Sequence, residues 1–112
     1  MNIDHTQVFA ALANDTRLRC LHLIAKNAEV CVCEVVEALG ISQPSASKAL
    51  NTLKSAGLLS DRRDANWNYY ALNGAMPKWM TAIVSTIVAE VANSKSYAAD
   101  QKCFQRLNLR TG

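Results

Sequence analysis

Two cysteines one residue apart, Cys31 and Cys33, are the side chains whose type and spacing most directly imply chemistry. Thiolates are soft donors that select thiophilic ions over magnesium or calcium. On a regular helix, residues i and i+2 point about 200° apart, so both sulfurs can reach one ion only if Cys31 lies in an extended lead-in and Cys33 opens the following helix. There, free backbone N–H groups and the positive end of the helix dipole would favour thiolates. Cysteines this close in sequence do not readily close a relaxed disulfide, which counts against a simple redox pair. Of the remaining thiols, Cys20 lies inside a helical segment beside Leu21 and reads as a small buried hydrophobe, whereas Cys103 lies far along the chain. His5 and His22 are too few and too scattered for a nitrogen-rich zinc, nickel or cobalt site. No Ser/His/Asp set, carboxylate pair or phosphate-binding glycine loop accompanies the thiols, so neither an enzyme nor an organic cofactor is expected.

A second group of residues suits contact with a polyanion. Drawn at about 100° per residue, a helix from Gln43 to Ala56 buries Ala46, Ala49, Leu50, Leu53 and Ala56 on one side. Ser47, Lys48 and Asn51 fall opposite, Ser45 and Lys54 flank them, and Ser42 is a natural N-cap ahead of Gln43 and Pro44. Such a face of small, hydrogen-bonding and basic side chains suits close approach to base edges and phosphates. No acidic residue occurs between Glu37 and Asp61. Residues 1–40 hold three basic and five acidic residues and residues 41–112 nine and four, net −2 and +5 for a total of +3. The expected DNA contacts are Ser42, Gln43, Ser45, Ser47, Lys48, Asn51 and Lys54, with Arg62, Arg63 and Asn66 from the segment that follows.

The elements that must position these groups are short helices and one hairpin. Val8, Phe9 and Leu12 mark a helix over about 4–13, and Leu18, Leu21 and Ile24 mark a second, with Asn14 to Thr16 as cap. A third runs from Val30 to Leu39 and stops at Gly40, and the helix from Gln43 stops at Gly57. Leu58 to Leu72 reads as a hairpin, with turn residues from Asp61 to Asn66. Met80, Ile83, Val84, Ile87, Val88 and Val91 stripe a last long helix from Pro77 to Asn93, able to cover its own core or to pair with a symmetry mate. The expected architecture is mainly α with a β-hairpin wing: one winged helix-turn-helix domain over 1–112, homodimeric. Its helix-turn-helix spans 30–57, its wing 58–72, and its dimerisation helices 1–26 and 76–99.

At 112 residues, with 50% hydrophobic and 19% charged residues, the chain suits one globular domain. The stretch from Met76 to Ala92 is broken by Lys78, Thr81, Ser85, Thr86 and Glu90 and is too polar to cross a bilayer. Met1 to His5 carries no signal-peptide pattern. A cytoplasmic protein with reduced thiols and no membrane partner is therefore expected.

Five blocks in order are Ala10 to Arg19, Cys31 to Glu34, Ser42 to Leu50, Leu53 to Leu59 and Tyr69 to Leu72. Together they resemble the ArsR/SmtB family of winged-helix repressors, and the Cys-Val-Cys block resembles its arsenic-sensing branch. The resemblance implies a homodimer that binds double-stranded operator DNA when empty and leaves it when trivalent arsenic or antimony binds Cys31 and Cys33. Arsenic-sensing relatives often carry a third cysteine three residues after the second, where this chain has Val36. A three-thiolate site then needs Cys103, Cys20 or a thiol from solution such as glutathione. Other members place His and carboxylate ligands on the last helix, but here that helix has no His and only Glu90. A repressor answering thiol oxidation or persulfides, and a cadmium or lead sensor, stand as alternatives.

Overall fold

In the computed structural model, which describes the backbone of residues 3–111 and the side chains of 3–108, six helices surround a small sheet. Met1, Asn2 and Gly112, counted in the expected domain, lie outside the described residues. The order is α1 (His5–Leu12), α2 (Asp15–Asn27), β1 (Glu29–Cys31), α3 (Val32–Leu39), α4 (Gln43–Ser55), β2 (Leu59–Asp64), β3 (Trp67–Leu72), α5 (Lys78–Val91) and α6 (Lys95–Thr111).

Local chemistry explains where the helices begin. Asp4 Oδ1 accepts from the Thr6 and Gln7 N–H groups, and Asn14 Oδ1 accepts from Arg17 N–H at 3.0 Å. Ser42 Oγ accepts from Ser45 N–H at 3.2 Å. Caps of this kind contribute about 1 kcal/mol each by satisfying first-turn donors. Gly40 ends α3 in the left-handed region at φ 67°, its N–H bonded to Val36 O at 3.0 Å.

α2 is the central post. Cys20, Leu21, Leu23 and Ile24 are fully buried, and they meet Leu50 and Leu53 of α4, Val35 of α3, Val30 of β1 and Met80 of α5 in one core. The expected inward face of α4, Ala46, Ala49, Leu50, Leu53 and Ala56, is buried throughout.

Three boundaries differ from the sequence reading. The third helix begins at Val32, because Glu29 to Cys31 pairs antiparallel with Tyr69 to Ala71. The sheet therefore has three strands in the order β1-β3-β2. Three residues are too few for a period-two signal, and what stabilises them is a partner about forty positions away. The hairpin turn shrinks to Ala65 and Asn66, since Asp61 to Asp64 pairs with Trp67 to Tyr70. Arg62 and Arg63 consequently lie in β2 rather than in the turn. α5 ends at Val91, and residues 95–99, expected to continue the dimerisation segment, open the separate helix α6.

α6 folds back over α2 and α3 mainly through polar anchors. Arg19 grips Asp100 through Nε–Oδ2 at 2.8 Å and Nη2–Oδ1 at 2.7 Å, and Nη2 also donates to Leu39 O at 3.2 Å. Asn27 and Gln101 exchange amide hydrogen bonds, and Tyr97 OH donates to Asp15 Oδ1 at 3.0 Å. Among the described side chains of this helix, Tyr97 and Phe104 are the large buried apolar groups. Apolar periodicity is therefore weak along it.

Candidate functional site

The two thiols meet as the extended-lead-in geometry requires. Cys31 is the N-cap of α3, with extended backbone at φ −79° and ψ 149°, and Cys33 is the second residue of the helix. Cys33 Sγ donates to Cys31 Sγ at 2.9 Å. Strand β1 holds Cys31 against Tyr69, while Glu34 Oε1 accepts from the Cys31 N–H at 2.8 Å and ties the lead-in to the first turn. Glu34 is thus a positioning residue that sequence reading passed over. The Cys-x-x-Glu spacing, an N-cap followed three residues later by Glu, is the signal that could have found it.

Cys33 does not have the expected thiolate character. The Cys33 thiol is pushed up to about 12, first by desolvation, then by donating to Cys31 and by repulsion from Cys31 and Glu34. Burial disfavours the charged thiol, and two sulfurs this close cannot both carry charge cheaply.

Neither further cysteine joins the pair. Among the described residues no group of three or more His, Cys, Asp or Glu could hold a metal ion. Cys103, expected as a third ligand, points its sulfur at Glu37 O at 3.6 Å, further along α3. Cys20 is fully buried, and burial pushes its thiol up to about 12. The sites available in one subunit are two sulfurs, soft enough for a thiophilic ion and one short of a trigonal set.

The pair opens into a cleft of about 360 Å³ between α4 and the wing. Gln43, Ser47 and Asn51 form the α4 wall, and Asn66, Trp67, Asn68 and Tyr70 the opposite one. Tyr70 OH donates to Asn51 Oδ1 and accepts from Asn68 Nδ2, each at 3.3 Å. The residue expected to read bases is thereby held by the wing. Trp67 is 53% exposed, an unusual position for so large an apolar ring. Strand patterning alone could not set Trp67 and Tyr70 apart from ordinary sheet aromatics.

The expected nucleic-acid residues divide into free and committed groups. Gln43, Ser45, Lys48 and Asn51 are exposed along one face of α4, and Ser47 is half-buried beside them. Ser42 spends its hydroxyl on the cap and on Ser45 Oγ at 2.9 Å. Lys54 pairs with Asp61 at 3.0 Å. Arg62 is held by both Glu29 oxygens at 2.7 Å and lies 4.7 Å from the Tyr69 ring centroid. This pairing raises the Arg62 pKa and lowers that of Glu29. Among the described residues Lys48 and Arg63 have no ion-pair partner.

Away from this face, the α5 stripe divides. Met80 and Val84 enter the core, whereas Ala82, Ile83, Thr86, Ile87 and Glu90 line an open depression of about 470 Å³. Phe9 on α1 is 54% exposed, and His5 stacks on Trp79 at 4.7 Å to join the two helices.

Helix-turn-helix α3–α4, the following wing and a dithiol at the mouth of α3 define a winged-helix regulator carrying a soft-ligand pair. Residues 14–61 match the model for bacterial regulatory proteins of the arsR family. The arsenical resistance operon repressor of Escherichia coli is 40% identical over 78 residues, covering 70% of this chain and 67% of that protein. The chain belongs to the arsR family. The arsenic resistance transcriptional regulator ArsR1 of Pseudomonas putida is 47% identical over 81 residues, which cover 72% of this chain and 63% of that protein. Among solved structures, the homodimeric winged helix-turn-helix DNA-binding domain of Mb0332 from Mycobacterium bovis aligns with a TM-score of 0.65 at 31% identity, over 80% of this chain and 81% of that one. Among the described residues no helix is long and apolar enough to cross a membrane.

Proposed function

We propose that this protein is a cytoplasmic transcriptional repressor that binds double-stranded operator DNA as a homodimer and releases it when trivalent arsenic or antimony bonds Cys31 and Cys33. The observation that carries this reading is the placement of the thiol pair, 2.9 Å apart, at the mouth of a cleft whose walls are the recognition helix and the wing. The arsenic regulators among the relatives fit a site made of soft sulfur and no imidazole.

The groups offered to DNA are Gln43, Ser45, Ser47, Lys48 and Asn51 on α4, with Arg63 and Asn66 on the wing. Lys54 and Arg62 contribute less, because each is neutralised within the fold. Dimerisation through α1 and α5 would cover Phe9 and the Ile83–Ile87 depression and set two recognition helices against two half-sites.

A shared ion would draw Cys31, in the lead-in, and Cys33, in the first turn, toward one point. That strains the junction that Glu34 holds, at the helix that supports α4. One titration tests the reading: operator-bound protein is challenged with arsenite, antimonite, cadmium, lead, zinc and peroxide, and release is followed by fluorescence anisotropy. Arsenite and antimonite should release DNA from the wild type and leave the Cys31→Ser/Cys33→Ser variant bound. Release of that variant by arsenite would refute the site, and release of the wild type by peroxide alone would favour a redox repressor.

A further inference from the structure

We propose that the third ligand of the metalloid is a small peptide-like thiol from solution, seated in the cleft between α4 and the wing, where it takes the place that DNA needs. This rests on the metalloid reading above and goes beyond it by assigning the ligand that the chain lacks. A trivalent arsenic or antimony makes three bonds, and one subunit offers two sulfurs. All four cysteines are described: Cys20 is sealed in the core and Cys103 is turned to the Glu37 carbonyl. No group of three ligating side chains forms among the described residues.

The cleft suits such a partner. Its volume of about 360 Å³ lies at the small end of ligand pockets. Its walls offer the amides of Gln43, Asn51, Asn66 and Asn68 and the hydroxyl of Ser47, with no acidic side chain to repel a carboxylate. Trp67 supplies an exposed ring against which an alkyl thiol backbone can lie. The chemistry is ligand exchange without oxidation. Three As–O bonds of arsenous acid break and three As–S bonds form, two to the protein and one to the small thiol. The three thiol protons leave with the displaced hydroxides as water.

The geometry also assigns a mode of release. Gln43, Ser47 and Asn51 wall the cleft and are the same side chains offered to base edges, so a thiol bound to the metalloid competes directly with DNA for them. Each therefore weakens the other by the same factor.

The test uses the full chain with arsenite, with and without glutathione. Native mass spectrometry should show one arsenic and one glutathione per subunit, and X-ray absorption should report three sulfurs around arsenic. Glutathione should raise arsenite affinity about tenfold or more. Trp67→Ala should shrink that gain while arsenite binding without glutathione stays put, a ratio that a merely structural role would not move. A bound arsenic without glutathione, with three sulfurs that become two in Cys103→Ser, would overturn the proposal in favour of the partner subunit's thiol and leave the dithiol reading standing. A two-sulfur, one-oxygen site in the presence of glutathione would overturn it as well. Arsenic binding unaffected by Cys31→Ser/Cys33→Ser would overturn the dithiol reading itself.

Discussion

Arg19→Ala should be among the most damaging single substitutions on this chain, although Arg19 touches neither the Cys31–Cys33 pair nor the exposed face of α4. Its guanidinium makes two short bonds to Asp100 and one to Leu39 O, so one side chain joins α2, the end of α3 and α6. The side chains are 21% and 3% exposed, which makes the truncation asymmetric. Removing Arg19 leaves a nearly buried carboxylate with no cation, at a cost of about 3–5 kcal/mol. Removing the charge of Asp100 as Asn leaves an amide acceptor in place and an arginine with a path to water, and costs about 1–2 kcal/mol. At roughly 0.05–0.15 kcal/mol per residue, 112 residues hold about 6–17 kcal/mol in total, so the first substitution consumes a large part of the stability. The assay is urea denaturation followed by circular dichroism, at one protein concentration because the proposed dimerisation would add to apparent stability. Arg19→Met/Asp100→Leu should be more stable than Arg19→Ala, since the pair is then removed without stranding a charge. A loss below about 1 kcal/mol for Arg19→Ala, or a double variant no better than the single, would refute the reasoning.

Tyr70→Phe deletes a hydroxyl that bridges Asn51 and Asn68 through two long bonds, so it should cost about 1 kcal/mol of stability. Its larger effect should be on operator discrimination, measured as the ratio of operator to random-DNA affinity; an unchanged ratio would show that Asn51 needs no support from the wing. Arg63→Ala should lower the slope of log affinity against log salt by about 0.9, whereas Arg62→Ala should lower it less because Glu29 already neutralises that arginine. Equal slopes for the two variants would contradict the ion pair's persistence in the complex. With the Cys33 thiol pushed up to about 12, its thiolate is scarce at neutral pH, and alkylation by iodoacetamide should rise about tenfold per pH unit through the alkaline range. Cys31→Ser removes the sulfur acceptor and its repulsion, so the rise should level off at lower pH, and a plateau near pH 8 in the wild type would contradict the shift.

Much of the helix-turn-helix was legible before folding, because its signals are local. Ser42, Pro44 and Gly40 punctuate the turn, and the apolar residues of α4 recur at helical spacing, so the buried face emerged residue for residue. The cysteine pair was legible for the same reason: a two-residue spacing permits shared ligation only across a helix start, and Cys31 and Cys33 fall on either side of one. The strand β1 and the helix α6 were not legible. β1 exists through its pairing with β3, and α6 docks through Arg19–Asp100 and Asn27–Gln101, side-chain partners more than seventy positions apart.

Composition and spacing by themselves determined a basic helix, a hairpin after it and a soft thiol pair before it, since each is written in consecutive residues whose chemistry does not depend on distant neighbours. Only the tertiary structure decided what the groups are free to do. It paired Arg62 and Lys54 with carboxylates on the surface, directed Cys103 to a carbonyl, raised the Cys33 thiol by desolvating it and setting Cys31 against it, and opened the pair onto the exposed face of α4. Charge neutralisation, thiol acidity and shared walls depend on distances of a few ångströms between residues far apart in the chain, and those distances exist only once it has folded.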